Sequence, residues 1–232
     1  CAHLEPEIAD LGYEQQDPHS KRIFDANDWR SFDIQREDII RSRRAYFANI
    51  SYLDDKVGEL LGALEATRQE ATVVFVSDHG DMLGERGLWF KMTFFEGSAR
   101  VPLMIADVDM QPGLVKTPVS TIDVTATLGE LAGADLSDLS PWTEGQSLVP
   151  LGQGGERAKP VAMEYAAEGS YAPLVALRDA RYKYVRCTLD PEQLFDLDND
   201  PHELHNLADD PVHHDALNRL RALADERWDL AL

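Results

Sequence analysis

Hydrophobic and polar positions follow two different periods along the chain. From Asp33 to Leu64, apolar residues recur at steps of three and four, which predicts one long amphipathic helix with Asp33 as its N-cap. Residues 72–77 and 101–106 each contain a continuous apolar run, which is typical of strands that are covered on both faces. A long helix that leads into such a strand predicts an α/β fold, with both runs as central strands of a parallel sheet.

The chain beyond residue 155 has a different pattern. A link that contains proline and glycine, residues 150–160, separates it from the α/β region. Three short apolar runs predict a small antiparallel sheet: Val161–Tyr165, Leu174–Arg178 and Tyr182–Cys187. A closing helix follows, with four residues facing inward: Leu217, Leu220, Leu223 and Ala224. The chain therefore divides into residues 1–155, an α/β core, and 156–232, a small α+β subdomain.

Two shorter features complete the structural prediction. Residues 1–29 are polar and weakly periodic, which indicates a loop or lid. Its segment with His19 and Lys21 either lies over a site or forms a solvated turn around Asp17 and Pro18, and the turn is favoured. Glu96 and Arg100 are four residues apart, which favours a structural ion pair over a substrate-binding role.

Charged residues begin where the first buried strand ends. Asp78 and His79 follow it directly, and the carboxyl ends of strands are where α/β sheets bind ligands. A carboxylate and a neutral imidazole on one tight loop can share a divalent cation, and Gly80 lets the backbone fold closely around it. Lys91, at the end of the same irregular segment, would meet an anionic group held by that metal. The structural alternatives are a helix-capping turn for the pair and a surface position for Lys91.

Composition narrows the choice of partners. A formal charge of −20 argues against nucleic acid and against an anionic membrane surface. No apolar run approaches the roughly 18 to 20 residues of a membrane span, so we expect no membrane partner. Cys1 and Cys187 provide no disulfide framework, which favours a cytoplasmic location. Four histidines have a spacing that matches no compact zinc site: His202, His205, His213 and His214.

Several segments of the chain resemble the sulfatases of the alkaline phosphatase superfamily. Their second signature region is similar to Ser77–Ile105, SDHGDMLGERGLWFKMTFFEGSARVPLMI, which is closest to the choline sulfatase branch. Two further pieces agree: QDPHSKRIF (Gln16–Phe24) with RRAYFANISYLDDKVGELL (Arg43–Leu61), and QLFDLDNDPHELHNLADDP (Gln193–Pro211), which is similar to the carboxyl-terminal sulfatase motif. The resemblance implies the carboxyl-terminal part of an alkaline-phosphatase-like sandwich, with a small antiparallel-sheet subdomain.

The resemblance also implies a metal and sulfate site. Asp78 and His79 would bind a divalent metal, which is Ca²⁺ in most of the family, with Mn²⁺ as the competitor because imidazole suits softer ions. His79 and Lys91 would be catalytic, and Lys91 would bind the sulfate group. The formylglycine nucleophile of sulfatases arises from a Cys/Ser-x-Pro-x-Arg motif, which neither Cys1 nor Cys187 matches.

A choline ester needs a second kind of site, because its quaternary ammonium cannot donate a hydrogen bond. Glu168, flanked by Tyr165 and Tyr171, resembles the acidic position that contacts choline in that branch, and a plain loop carboxylate is its structural alternative. Trp89 or Phe90 would contribute a further aromatic ring to the choline site. The structural alternative for all of these aromatic residues is packing in the core.

The expected function is therefore hydrolysis of choline sulfate to choline and sulfate. Hydrolysis of phosphonate or phosphate monoesters by the same superfamily is a second hypothesis, and a non-catalytic interaction module is a third. Because the nucleophile motif is absent, we expect the formylglycine in a missing amino-terminal half and an inactive chain on its own. The bare edges of the strands at 72–77 and 101–106 predict association with that half, or with a second copy in a homo-oligomer.

Overall fold

The computed structural model describes residues 11–107, 110–157 and 159–229. These ranges contain seven α-helices: α1 (Pro18–Ala26), α2 (Arg36–Thr67), α3 (Glu96–Ala99), α4 (Asp123–Leu131), α5 (Leu136–Leu139), α6 (Val149–Gly152) and α7 (His214–Arg227). The same ranges contain eight strands: β1 (Val73–Val76), β2 (Met82–Leu83), β3 (Trp89–Phe90), β4 (Leu103–Ala106), β5 (Val161–Tyr165), β6 (Leu174–Arg178), β7 (Tyr182–Cys187) and β8 (Asp190–Asp196). None of these helices has the length and apolar character needed to cross a membrane.

The described part of the amino-terminal region forms helix α1, so the loop predicted for this region is wrong there. Pro18 occupies the first turn, and the Asp17 side chain caps the helix by accepting a hydrogen bond from the Ser20 backbone at 3.0 Å. Asp17 and Pro18, which are also common in turns, act here as start signals of a helix. The first ten residues, and with them Cys1, lie outside the described residues.

Helix α2 forms as predicted but begins two residues later. Gln35 is its N-cap, so the prediction of Asp33 is wrong. Arg43 is the residue of this helix that is buried. Its guanidinium donates to the Leu83 carbonyl at 2.9 Å and pairs with Glu85 at 2.7 Å, so these contacts anchor α2 to the loop that follows β1.

Much of the apolar face of α2 is exposed. Five residues that are between 44% and 71% exposed form what we call the α2 stripe: Phe47, Ile50, Leu53, Leu60 and Leu61. An apolar stripe of this spacing is the face that a helix normally packs against a core. The α2 stripe therefore requires a partner that the described residues do not supply.

Strands β1 and β4 pair with each other in antiparallel orientation, with Val73 opposite Ala106 and Val76 opposite Leu103. The prediction of two parallel central strands is therefore wrong for their mutual pairing. Continuous apolar runs indicate burial, but they do not encode the direction of a neighbouring strand. Both strands are half-buried or exposed along their length, so the predicted cover on both faces is not provided by the described residues.

Four antiparallel strands in the order β5–β6–β7–β8 form the C-terminal sheet. Strands β5 to β7 have the predicted bounds, whereas the prediction misses β8, which carries Asp190, Pro191 and Asp196, residue types that are depleted in strands. Helix α7 packs on this sheet as predicted. The core between them contains six buried residues: Leu177, Tyr184, Leu194, Leu217, Leu220 and Ala224.

A buried ion cluster, which we call the Lys183 cluster, joins the C-terminal sheet to the segment around α3. Lys183 is 1% exposed, and its ammonium lies 2.8 Å from Glu96 and 2.7 Å from Glu203. The same ammonium donates to the Phe94 carbonyl at 2.7 Å, and Glu203 accepts a hydrogen bond from the Glu96 backbone at 2.7 Å. Glu96 is thus paired with Lys183 and, at 3.9 Å, with Arg178, and the predicted pairing with Arg100 is wrong.

Candidate active site

The loop after β1 carries the candidate metal-binding pair. Asp78 Oδ2 lies 3.4 Å from His79 Nε2, and Asp78 Oδ1 accepts a hydrogen bond from the His79 backbone at 2.9 Å. That backbone N–H holds the pKa of Asp78 below its usual value, and the charge of the Lys91 ammonium acts in the same direction. Asp78 is therefore a carboxylate that is ready to accept a cation.

Gly80 and Ser98 hold this loop against the segment that carries Lys91. The Gly80 backbone donates to the Ser98 carbonyl at 2.8 Å, and a Cβ atom at residue 80 would lie 2.2 Å from the Gly97 carbonyl oxygen. Only glycine permits this approach. The Ser98 hydroxyl in turn donates to the Lys91 carbonyl at 2.6 Å. Ser98 thus connects both parts of the candidate site.

The Lys91 ammonium lies beside the imidazole of His79, with 3.0 Å between Lys91 Nζ and His79 Nε2. The other ring nitrogen, Nδ1, is 2.9 Å from the Gly80 carbonyl oxygen. A carbonyl oxygen can only accept, so Nδ1 carries the proton and Nε2 presents a lone pair. The structure therefore brings Asp78, His79 and Lys91 together, with a positive group already beside the imidazole lone pair.

Glu168 lies in the loop between β5 and β6, next to Tyr165. The Tyr165 hydroxyl is 3.1 Å from Glu168 Oε2 and 3.0 Å from the Glu168 carbonyl oxygen. Burial, and then the bond to Glu168, raise the pKa of Tyr165 to about 12, so its hydroxyl stays a donor. The pKa of Glu168 is lowered by its own backbone N–H, by Tyr165 and by the charge of Lys91. Glu168 is thus an ionised carboxylate within electrostatic range of Lys91.

The other aromatic residues predicted for a choline site have different neighbours. The Tyr171 ring lies 4.8 Å from a guanidinium group that stacks on it. Trp89 packs against a buried core cluster, as its structural alternative proposed. The Phe90 ring is 6.2 Å from a second tryptophan of that cluster and remains 58% exposed. Tyr165 is therefore the predicted aromatic residue whose contact with Glu168 the structure shows.

His19 also lies at this site, although its sequence context favoured a solvated turn. It is buried in α1, its Nε2 lies 2.8 Å from the Met92 carbonyl oxygen, and its ring packs edge-on against Tyr165 with centroids 5.5 Å apart. Its Nδ1 is buried and has no hydrogen-bond partner among the described residues. The signal in the sequence was its position within the branch-specific segment QDPHSKRIF.

The donors at this site fit a divalent cation as part of a larger ligand set. Asp78 Oδ2 and His79 Nε2 offer one carboxylate oxygen and one imidazole nitrogen, and the Lys91 ammonium shows that positive charge is accepted beside them. Within residues 11–107, 110–157 and 159–229, no group of three or more His, Cys, Asp or Glu is arranged to hold a metal ion. Asp78 and His79 would therefore be only part of the ligand set of such a cation.

Two family models match the chain. The sulfatase model matches residues 10–134, and the model of the N-sulphoglucosamine sulphohydrolase C-terminal region matches residues 84–227. The chain therefore belongs to the sulfatase family, as its motifs predicted. It is 58% identical to the choline-sulfatase of Rhizobium meliloti (strain 1021) over 235 residues, which cover 99% of this chain and 46% of that protein. The chain thus spans about half the length of this relative.

Solved structures share the fold. A 2-O GAG sulfatase, BT1596, superposes with a TM-score of 0.81 at 26% identity, over 96% of this chain and 51% of that one. The phosphonate monoester hydrolase SpPMH from Silicibacter pomeroyi superposes with a TM-score of 0.80 at 25% identity, over 96% of this chain and 50% of that one. The predicted fold, part of an alkaline-phosphatase-like sulfatase with a small antiparallel sheet, is confirmed.

Proposed function

We propose that this chain forms part of the active site of a hydrolase that cleaves choline sulfate. The observation that carries the proposal is a pair of opposite charges: the Lys91 ammonium, 3.0 Å from His79 Nε2, and the Glu168 carboxylate, whose pKa the Lys91 charge helps to lower. Choline sulfate has a negative sulfate group at one end and a positive quaternary ammonium at the other. A fixed cation and a fixed carboxylate complement those two ends. The 58% identity to a choline-sulfatase supports the same substrate.

At the sulfate end, Asp78 and His79 would hold a divalent cation, Ca²⁺ or Mn²⁺, which supplies Lewis-acid polarisation of the ester when bound. With Nδ1 donating to the Gly80 carbonyl, Nε2 is the ring nitrogen that would bind the metal, in place of its present 3.0 Å contact with the Lys91 ammonium. Lys91 binds a sulfate oxygen and offsets the negative charge that develops during cleavage. The remaining metal ligands and the formylglycine nucleophile would come from the amino-terminal half.

At the choline end, Glu168 faces the quaternary ammonium as an ionised carboxylate. Tyr165 fixes the orientation of this carboxylate through its hydroxyl, 3.1 Å from Glu168 Oε2. Such a site selects for a cationic leaving group, because a carboxylate attracts an ammonium and aromatic faces tolerate its methyl groups.

The same proposal assigns a partner to the α2 stripe. We propose that the amino-terminal half of the sulfatase covers it, because the chain spans 46% of its choline-sulfatase relative and the stripe is the apolar face of a 32-residue helix. A second copy of the chain in a homo-oligomer is the other occupant that the sequence predicted.

The cytoplasm remains the proposed location. Cys187 is a free thiol, and burial raises its pKa, so it stays in the unreactive thiol form. An unpaired buried cysteine is compatible with a reducing compartment.

The substrate is tested by comparing three esters with the protein that joins this chain to its amino-terminal half: choline sulfate, p-nitrophenyl sulfate and a phenyl phosphonate monoester. We expect choline sulfate to have the highest kcat/KM. Glu168→Gln should lower its kcat/KM about tenfold, since the variant removes the charge that faces the ammonium. The exposed Glu70→Gln variant is the control and should change nothing. Preferred cleavage of the phosphonate monoester would favour the hypothesis of a phosphonate or phosphate monoester hydrolase, which the likeness to SpPMH supports. If none of the three esters is cleaved, the hypothesis of a non-catalytic interaction module is favoured.

Metal binding tests the role of His79. We expect His79→Ala to weaken Mn²⁺ binding, measured by calorimetry, at least about 100-fold, because loss of an outer-shell contact alone costs 10- to 100-fold. His205→Ala is a matched control, since His205 is an exposed histidine 3.5 Å from the Asp200 carboxylate, outside the site. Equal Mn²⁺ affinity in His79→Ala and the unchanged protein would contradict the assignment.

A further inference from the structure

Arg22 of α1 uses all of its polar groups on the residues around the Glu168 loop. Its Nε donates to the Gly169 carbonyl at 2.6 Å, and its two terminal nitrogens lie 2.9 Å and 2.5 Å from the two carboxylate oxygens of Asp190. Its guanidinium stacks on the Tyr171 ring, 4.8 Å from the ring centroid. Asp190 is 5% exposed at its side chain, so this pair is a buried, bidentate ion pair rather than a surface contact.

The Glu168 loop, residues 166–171, is a tight turn docked on α1. Gly169 adopts a left-handed conformation with φ of +75°, and a Cβ atom there would lie 3.0 Å from Ile23 Cγ1. Within the turn, the Ser170 backbone and hydroxyl both donate to the Ala167 carbonyl, at 3.1 Å and 2.6 Å. The turn is therefore closed by its own hydrogen bonds, and the Arg22 bond to Gly169 holds the residue next to Glu168.

We infer that Arg22 is a positioning residue for the choline end of the site, because it fixes the Glu168 loop at a set separation from Lys91. The inference rests on the proposed function, in which Glu168 faces the substrate ammonium. A zwitterionic ester has a fixed distance between its charges, so its binding depends on the distance between the two groups that receive them. An ester without the ammonium places no demand on that distance.

A lysine substitution at residue 22 separates the effect of the positive charge from the effect of the planar hydrogen-bonding geometry of arginine. Lysine at this position keeps a positive charge for the buried Asp190, so the carboxylate is not left unpaired. A single ammonium cannot reproduce the planar fork that reaches Asp190 and the Gly169 carbonyl at once. Arg22→Lys is therefore expected to fold while releasing the Glu168 loop.

The experiment measures Arg22→Lys in the protein that joins this chain to its amino-terminal half. We expect KM for choline sulfate to rise about tenfold, with kcat nearly unchanged. The kcat/KM for p-nitrophenyl sulfate should stay within about twofold of the unchanged protein. Arg221→Lys is the matched control, because Arg221 makes a comparable multidentate pair with Glu192 in the same sheet. This control should leave the ratio between the two substrates unchanged.

Two further variants separate the inference from the proposed function. Gly169→Ala disturbs the same turn while leaving the Arg22 side chain itself unchanged, because a Cβ atom at residue 169 would lie 3.0 Å from Ile23 Cγ1. We expect the same selective rise in KM, and this variant also provides the test if Arg22→Lys does not fold. If Glu168→Gln loses the preference for choline sulfate while Arg22→Lys and Gly169→Ala keep that preference, the positioning role of Arg22 is wrong and the proposed function stands. If all three variants keep the preference, the positioning role and the proposed function are both wrong. Equal loss for the two substrates in Arg22→Lys would show a general structural role and overturn the inference.

Discussion

Replacing Lys91 with methionine is expected to lower kcat for choline sulfate by about 10² to 10³-fold in the protein that joins this chain to its amino-terminal half. One preorganised charge or donor at developing negative charge contributes about that factor in enzymes that transfer acyl groups, and a sulfate ester develops comparable charge. Methionine keeps the length and apolar stem of lysine, so the Ser98 contact to the residue 91 carbonyl is retained. Steady-state kinetics measures the loss.

A second readout separates this role from a structural one. The Lys91 charge is one of the causes that lower the pKa of Glu168. Its removal raises that pKa, so the acid limb of the pH profile of kcat/KM should move to higher pH in Lys91→Met. Lys116→Met is the control, since Lys116 is an exposed lysine in the loop between β4 and α4. Turnover that is retained in Lys91→Met, with an unchanged pH profile, would end the assignment of Lys91.

Lys183→Met should destabilise the protein by about 3 to 5 kcal/mol. The Lys183 ammonium is the cation of a cluster that contains Glu96 and Glu203, and Lys183 and Glu203 are each 1% exposed. Without the ammonium, the buried Glu203 carboxylate loses the cation of its ion pair and Glu96 keeps only Arg178, at 3.9 Å, which is the costly way to break a buried ion pair. Burial already raises the pKa of Glu203 despite Lys183, which shows the cost of keeping it ionised. Urea unfolding at pH 7 measures the change.

The control is Lys56→Met, which removes an exposed i,i+3 pair between Lys56 and Glu59 at 2.7 Å. Exposed pairs contribute at most about 1 kcal/mol, so this variant should change the free energy of unfolding only slightly. A loss in Lys183→Met no larger than in the control would mean that the cluster is neutral in stability. Because Lys183 also holds the Phe94 carbonyl, Lys183→Met should in addition loosen the segment after Lys91.

The sequence predicted the features that depend on local pattern. The bounds of β5, β6 and β7 follow from short apolar runs between turn residues, and the 3.6-residue period placed α2 to within a few residues. The antiparallel pairing of β1 with β4 depends on residues about thirty positions apart, and no local signal encodes it. The domain boundary at residue 155 stays a prediction, although the Lys183 cluster joins residues from both sides of it.

The candidate site divides in the same way. Asp78, His79 and Lys91 could be predicted as site residues because they belong to a charged segment that follows an apolar strand and resembles a family signature. The contacts that bring them together, such as the Ser98 hydroxyl on the Lys91 carbonyl, are tertiary and leave no pattern in spacing. His19 was missed because its burial depends on Met92, 73 residues away.

The α2 stripe has a consequence for how the protein is made. If the surface that covers it lies earlier in the same polypeptide, that surface leaves the ribosome first and can be folded before α2 emerges. The nascent helix would then dock at once, and its aromatic and aliphatic side chains would spend little time in contact with chaperones. If the two parts were synthesised in the reverse order, the α2 stripe would stay exposed to solvent until the covering surface had been made.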